Sequence, residues 1–388
     1  MRTFEKTHPW ISFMLDLRKA SHKLWMQLGE AQSKCQHISG VPLMPATAKE
    51  LYKIFLAKGA LATAAIEGNT LTEEEVKKHL DGELKLPPSK EYLKQEVSNI
   101  IDACNSIGKE IINAETTDLT TDKIKQYNSW ILKDLPLGED VEPGVVRKHS
   151  VGVGTYRGAP AEDCEFLVEK LCEWLNKDFK SPNDDEIIIY GLLKAIVCHV
   201  YIAWIHPFGD GNGRTARLLE FEILLSSGVP APSAQLLSNH YNQTRTEYYR
   251  NLDASHKSGG DIFPFIMYAI QGFIDGLVGQ LELIQEQQLH VHWMDYIHFI
   301  FSNKDSATDI RRRRLVVDLS GLDDHVIPSK ARHISPIIAE AYASLTEKTL
   351  TRDINALIGL GLIVKTSKGL IANKNLMRAF LPPKRKII

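Results

Sequence analysis

The stretch from His206 to Arg217, HPFGDGNGRTAR, places an imidazole, a carboxylate, two glycines around an asparagine and two arginines in one short segment. It follows an apolar run, Ala195 to Ile205, that is interrupted chiefly by His199. A chain with this order has to leave an apolar helix, turn in a few residues, and begin a second helix at about Arg214. Gly211, Asn212 and Gly213 suit that turn, because glycine accepts backbone conformations that a Cβ resists, and several N–H groups can then converge on one anion.

The residues past the turn extend the reading. Free N–H groups and the positive dipole end of the helix starting near Arg214 favour phosphate. Arg214 and Arg217 stand three apart on one helical face, where their planar forks can grip the oxygens of a polyphosphate. Asp210 is a hard oxygen ligand beside that cradle, which is what Mg²⁺ bridging two phosphates requires. His206 is placed to take a proton from an incoming hydroxyl. Phe208 reads as a core anchor for the loop, and His199, seven residues before His206, as a core or supporting residue on the same helical face.

The segment resembles the signature of the Fic family: histidine, any, phenylalanine, any, Asp or Glu, then Gly-Asn-Gly-Arg, two of any, Arg. Every fixed position matches. The resemblance implies transfer of a nucleoside monophosphate, most often AMP from ATP, to a Ser, Thr or Tyr hydroxyl of a protein with release of pyrophosphate. It implies His206 as general base, Asp210 as the metal residue, Gly211, Asn212, Gly213 and Arg214 as the anion hole for the α and β phosphates, and Arg217 for the γ phosphate. Transfer at the α phosphorus comes from the resemblance; spacing does not choose the phosphorus.

Upstream, Thr63-Ala64-Ala65-Ile66-Glu67-Gly68 closes a helix expected from about Thr47 and capped at Gly68. It is similar to the inhibitory motif of many Fic proteins, with Thr63 and Glu67 at its fixed positions. That similarity implies a Glu67 pair with Arg217, which would occupy the fork needed by the γ phosphate and hold ATP in an unproductive pose.

Two further stretches bear on the same site. Gly144 to Pro160, with Val151 and Val153 alternating between glycines, reads as a short hairpin. It resembles the flap that lays a target segment beside the phosphates, although only Pro160 closes it where a pair of prolines is common. In Asn239 to Leu252, Tyr248 and Tyr249 resemble the helix bordering the nucleobase and are candidates to stack on it.

The expected fold class is all-α: a Fic-type helical core with a short β-hairpin flap and a C-terminal winged helix-turn-helix domain. The divisions are 1–115 as an N-terminal helical region with the inhibitory helix, 116–290 as the catalytic core, and 291–388 as the winged-helix part. Helical periodicity spans Trp10 to His37, Thr47 to Ile66, Thr72 to Leu80 with a Thr72–Glu75 capping box, Ser89 to Ile112, Thr121 to Leu135, Ala161 to Phe179 and Asp261 to Leu289. From Lys304 to Ile388 basic side chains outnumber acidic ones by about sixteen to eight, against a formal net charge of −2 for all 388 residues. There, Ser335 to Leu345 and Thr349 to Leu360 read as two helices, Gly361 as a cap, and Leu362 to Val364 with Leu370 to Ile371 as a hairpin, the pattern of a winged helix. Lys348, Thr351, Arg352 and Asn355 would face outward, with Lys365 and Lys368 on the wing. Arg311 to Arg314 spread around a helix axis and read as an exposed linker.

No membrane span and no signal-peptide run are evident. Cys35, Cys104, Cys164, Cys172 and Cys198 have no metal spacing and cannot all pair within one chain, so a reducing cytoplasm is expected. The leading expectation is a Mg²⁺-dependent protein adenylyltransferase, inhibited by Glu67, that uses ATP and acts on a protein of unread identity, itself included. The alternatives are a hydrolase of the same fold that removes AMP with Glu67 orienting water, and a DNA-binding regulator whose Fic portion senses nucleotide. Docking of DNA or protein through the winged helix, and a homodimer, are the open partners.

Overall fold

The computed structural model describes residues 2–113, 118–154, 156–322 and 324–378. Thr155, within the stretch expected as a hairpin, and Lys384, Arg385 and Lys386, counted in the basic tail, lie outside them. The chain divides into two compact units, Met1–Leu281 and Glu282–Ile388. The stretches 1–115 and 116–290, expected as separate regions, therefore share the first unit up to 281. The reason is one continuous apolar core that takes in Leu28, Leu56, Val97, Ile131, Leu167, Ile196 and Phe265 alike.

The first unit runs α1 (Phe4–Thr7), α2 (His22–Gly40), α3 (Pro45–Ile66), α4 (Glu73–Leu80), α5 (Glu91–Asn113), α6 (Thr121–Leu132), the hairpin β1 (Gly152–Val153) and β2 (Tyr156–Arg157), α7 (Ala161–Asp178), α8 (Ile187–Ile205), α9 (Asn212–Ser226), α10 (Leu236–Gln243), α11 (Arg245–Lys257) and the start of α12 (Phe263–Ile300). The hairpin is antiparallel, with Gly152 opposite Arg157 and Val153 opposite Tyr156. α4 begins on the expected capping box, Thr72 Oγ1 accepting from Glu75 N at 3.2 Å while Glu75 Oε2 accepts from Thr72 N at 2.8 Å. The first long helix differs from expectation. It starts at His22, capped by Ser21, because 10–20 form a loop with a 3-10 turn at Leu17–Lys19.

α8 is apolar nearly all round, and a helix of that kind belongs in a core. By length and composition the segment Asp184–Ile205 could cross a membrane, unlike the expectation from sequence, yet most of it is buried inside the protein. α9 packs on α8 and is also met by α3, α5, α6 and α10. Its charged residues are consequently buried, and each takes a partner from a different element: Arg214 from α5, Arg217 from the end of α3, Glu220 from α8 and α10, and Glu222 from Lys123 of α6. That pinning fixes the signature loop before α9.

The second unit contains α13 (Ala307–Ser320), α14 (Pro336–Ala341), α15 (Glu347–Gly359) and the antiparallel hairpin β3 (Ile363–Thr366) and β4 (Gly369–Ala372). Val326 adds an antiparallel bridge to Leu370. The core is built on Trp293, Ile297, Leu315, Tyr342, Leu357 and Leu370, with Trp293 Nε1 donating to Ser320 Oγ at 2.7 Å. Gly361 ends α15 at φ 73°, the left-handed geometry expected of its cap. The five cysteines are free and buried.

Candidate active site

The site begins where α8 stops. His206 caps the helix at φ 52° and ψ 59°, a left-handed conformation unusual for a residue with a Cβ, and its N–H still donates to Ile202 O at 2.8 Å. Arg147 holds that bend. Its guanidinium donates to His206 O at 2.7 Å, His149 O at 2.6 Å and Ala159 O at 2.5 Å, tying the hairpin base to the helix end. Gly158 is required there, since a Cβ would meet His206 Cβ at 2.8 Å and Arg147 Nη2 at 2.9 Å.

The loop closes on itself through Asn212, whose Oδ1 accepts from Phe208 N at 2.9 Å and whose Nδ2 donates to Phe208 O at 2.8 Å. The Asn212 amide is thus spent inside the turn, and its main chain is what is left to serve an anion. Phe208 is fully buried, as expected, and pairs through its main chain with Val146. Asn128 of α6 braces the loop, donating to Asp210 O at 3.0 Å and accepting from Gly144 N at 2.9 Å. Gly211, at φ 77°, is the N-cap of α9, whose first main-chain N–H groups have no acceptor within the helix.

Both arginines are occupied. Arg214 Nη1 donates to Glu96 Oε1 at 2.6 Å and Nη2 to Asp210 Oδ1 at 3.0 Å, while Asn69 Nδ2 holds Glu96 Oε2 at 2.8 Å. Arg217, 2% exposed, donates from Nη2 to Glu67 Oε1 at 2.5 Å and to the Thr63 carbonyl at 3.0 Å. Thr63 thus contributes its main chain. Arg217 Nε and Nη1 are buried with no acceptor. Burial alone would raise the Glu67 carboxyl, but the charge and hydrogen bond of Arg217, helped by the charge of Arg214, hold it below its ordinary value. A Cβ on Gly213 would run into Glu67 Oε1 and stand 3.1 Å from Arg217 Nη1, so the pair packs against bare main chain there.

A cavity of about 530 Å³ has Glu67, Tyr156, His206, Gly213, Tyr248 and Tyr249 among its walls. Burial pushes the His206 imidazole down to about 4, against the upward pull of the Ala203 carbonyl, so the ring is neutral at pH 7. Tyr248 is buried, and its hydroxyl is bound to His199 Nε2 at 2.9 Å. His199 Nδ1 approaches Glu220 Oε2 at 3.0 Å. Tyr248 can therefore offer only a ring edge or face, whereas Tyr249, 37% exposed, stands freer at the cavity wall. Tyr156 of β2 is fixed by donation to Trp204 O at 2.8 Å, which places the hairpin over the same cavity.

Asp210 fits a metal of limited demands. One oxygen takes Gly211 N–H and Arg214, the side chain is half exposed, and among the described residues no group of three or more His, Cys, Asp or Glu converges. That donor set suits a hard cation held by one carboxylate and by its substrate's oxygens, and it does not suit a self-sufficient protein cage. Glu96, Asn69, Asn128 and Arg147 were not singled out in the sequence, although Asn69 directly follows the inhibitory motif and Arg147 lies within the hairpin stretch.

Residues 118–224 match the family model described as the Fic/DOC family. The chain carries a Fic domain. The protein adenylyltransferase fic-1 of Caenorhabditis elegans is 26% identical over 246 residues, 63% of this chain and 44% of the relative. The protein adenylyltransferase Fic of Nematostella vectensis is 29% identical over 204 residues, 53% of this chain and 44% of the relative. The chain thus spans less than half the length of these curated relatives. Among solved structures, a Fic family protein from Desulfovibrio desulfuricans G20 is similar with a TM-score of 0.53 and 20% identity, covering 88% of this chain and 92% of that one. Fic-1 of C. elegans, residues 134–508, gives 0.55 and 24% over 68% of this chain and 73% of that one. At these identities the structural likeness is one of fold.

Proposed function

We propose that this protein transfers AMP from ATP to a hydroxyl of a protein side chain, and that Glu67 holds it in an inhibited state. The observation that carries the reading is Arg217: a buried guanidinium shared with Glu67, with two donors unpaired, beside a cavity that also holds a neutral imidazole. Unpaired buried donors are costly unless an acceptor arrives, and a terminal phosphate is an acceptor of the right charge and geometry.

In the active complex, the main chain of Gly211, Asn212 and Gly213 with Arg214 cradles the inner phosphates, and Arg217, released by Glu67, takes the outer one. Tyr249, with the buried ring of Tyr248 beside it, borders the base. His206 Nε2 accepts the proton of the target hydroxyl as its oxygen bonds to the α phosphorus and pyrophosphate leaves. Asp210 with the phosphates would hold Mg²⁺, which supplies charge neutralisation on the polyphosphate. The β1–β2 hairpin offers main-chain pairing to the target segment. Five free thiols fit a reducing compartment.

A second reading has an observation in its favour. Glu67 is 34% exposed on the cavity shared with His206, so the same carboxylate could orient a water that removes AMP from a modified protein. Mass spectrometry of the Glu67→Gly protein after incubation with Mg²⁺ and each nucleoside triphosphate decides between them. An added AMP mass that appears with ATP and increases over the unsubstituted chain supports transfer. Release of AMP from premodified protein that requires Glu67, with no gain in the variant, supports removal.

A further inference from the structure

The second unit carries a basic surface that nucleotide transfer does not use. The faces of α15 are divided by spacing: Leu350, Asp353, Ile354 and Leu357 are buried, while Lys348, Thr351, Arg352 and Asn355, at the complementary i, i+3, i+4, i+7 positions, are exposed. Lys365 and Lys368 are exposed on the β3–β4 hairpin. Among the described residues none of these four cations has an ion-pair partner, and Asp353, the buried carboxylate of α15 itself, is taken by Arg311 and Arg312.

The scaffold under this stripe is rigid. Arg332 Nη2 donates to Tyr342 O at 2.6 Å and to Leu345 O at 3.2 Å, fixing the turn between α14 and α15. Buried Asp353 draws Arg311 Nη2 to 2.7 Å, Arg312 Nε to 2.8 Å and Tyr342 Oη to 3.1 Å, locking α15 onto α13. Two of the four arginines in 311–314 are therefore internal ties, and the run that looks most basic in the sequence is not the surface on offer.

We propose that the unit is a winged helix that binds duplex DNA, with α15 in the major groove and the β3–β4 wing on the flanking backbone. Lys348, Arg352, Lys365 and Lys368 meet phosphate. The Asn355 amide has the donor and acceptor pair that adenine presents, and Thr351, whose hydroxyl donates to Glu347 O at 3.0 Å, has a methyl group suited to thymine. Glu347, the exposed carboxylate of the first turn, opposes phosphate there and suits a cytosine amino group. The exposed stripe from 348 to 355 has no large apolar side chain, as the centre of a protein–protein contact would. This inference does not depend on nucleotide transfer.

Fluorescence anisotropy of the full chain with a labelled duplex of mixed sequence, titrated with salt, tests it. Four phosphate contacts give a slope of log affinity against log salt of about −3.6, and the double variant Lys348→Ala with Arg352→Ala brings it to about −1.8 and weakens binding by roughly 10-fold or more at ~50 mM salt. A cooperative thermal transition equal to that of the original chain shows that the variant is folded. His206→Ala binds like the original chain. No anisotropy change with duplex at ~50 mM salt, a slope unaltered in the folded double variant, tighter binding to single-stranded RNA of equal length, or self-association through this face in place of DNA binding would each overturn the proposal.

Discussion

Two buried charge clusters, one in each unit, use the same residue types and end in opposite states. Asp353 in the second unit, 0% exposed, is surrounded by Arg311, Arg312 and Tyr342, so both carboxylate oxygens are satisfied. Arg217 in the first is equally buried but shares a single Glu67 oxygen and the Thr63 carbonyl, with Nε and Nη1 left over. The first arrangement is a closed tie between helices. The second has capacity in reserve, and its carboxylate partner reaches the cavity. A saturated buried ion cluster holds a fold, whereas an unsaturated one beside open space is a place for a ligand.

The comparison can be broken at either end. The largest effect is expected from His206→Ala in the Glu67→Gly background: initial rates of AMP incorporation fall by roughly 10²–10⁴, the worth of a positioned base, while thermal stability changes little. Retained rates would remove His206 from the chemistry. Next is Asp353→Ala, which leaves Arg311 and Arg312 without their carboxylate in a buried place. Chemical denaturation followed through the Trp293 environment should show a loss of about 3–5 kcal/mol, with incorporation unaffected. A small loss there would mean that the tie is not structural.

Glu67→Gly acts in the other direction, raising incorporation by about 100-fold at saturating ATP if the pair holds a two-state equilibrium by roughly 3 kcal/mol. A rate unchanged in the variant would show that the pair inhibits nothing. The smallest effect concerns pH. Because burial keeps His206 neutral down to about 4, compared with 6.5 for the free side chain, kcat/KM of the Glu67→Gly protein should stay flat through pH 6 and fall only as the imidazole gains its proton near 4. Removing Glu67 takes away a carboxylate that draws this value upward, so the variant's acidic limb should lie no higher. A limb at 6.5 would mean an imidazole in open solvent.

What the sequence carried and what it did not divide along range of interaction. The turn before α9, the Thr72–Glu75 box and the hairpin before Pro160 depend on residues a few positions apart, so their types and spacing suffice. Glu67 was legible because a six-residue pattern marks it. Glu96 was not: its partner Arg214 is 118 residues away, and in the sequence it is one carboxylate among many on a helical face. The Asn212 amide turned inward to Phe208, and the Tyr248 hydroxyl to His199, because buried polar atoms take the nearest partner that tertiary packing supplies. Helix α12 runs to Ile300, beyond the expected Leu289, since Trp293 and Ile297 are buried in the core of the second unit. In Arg311–Arg314 the count of charges was visible and the carboxylate that takes two of them was not.

The central claim is that Glu67 holds the fork that a terminal phosphate would use. Titration calorimetry of ATP and ADP with Mg²⁺ against the original chain and Glu67→Gly measures this without turnover of a target. The account predicts that the original chain binds both nucleotides with similar affinity and that the variant favours ATP over ADP by roughly 10-fold, the worth of a charge-assisted hydrogen bond. An ATP-to-ADP preference that is the same in both proteins would contradict it.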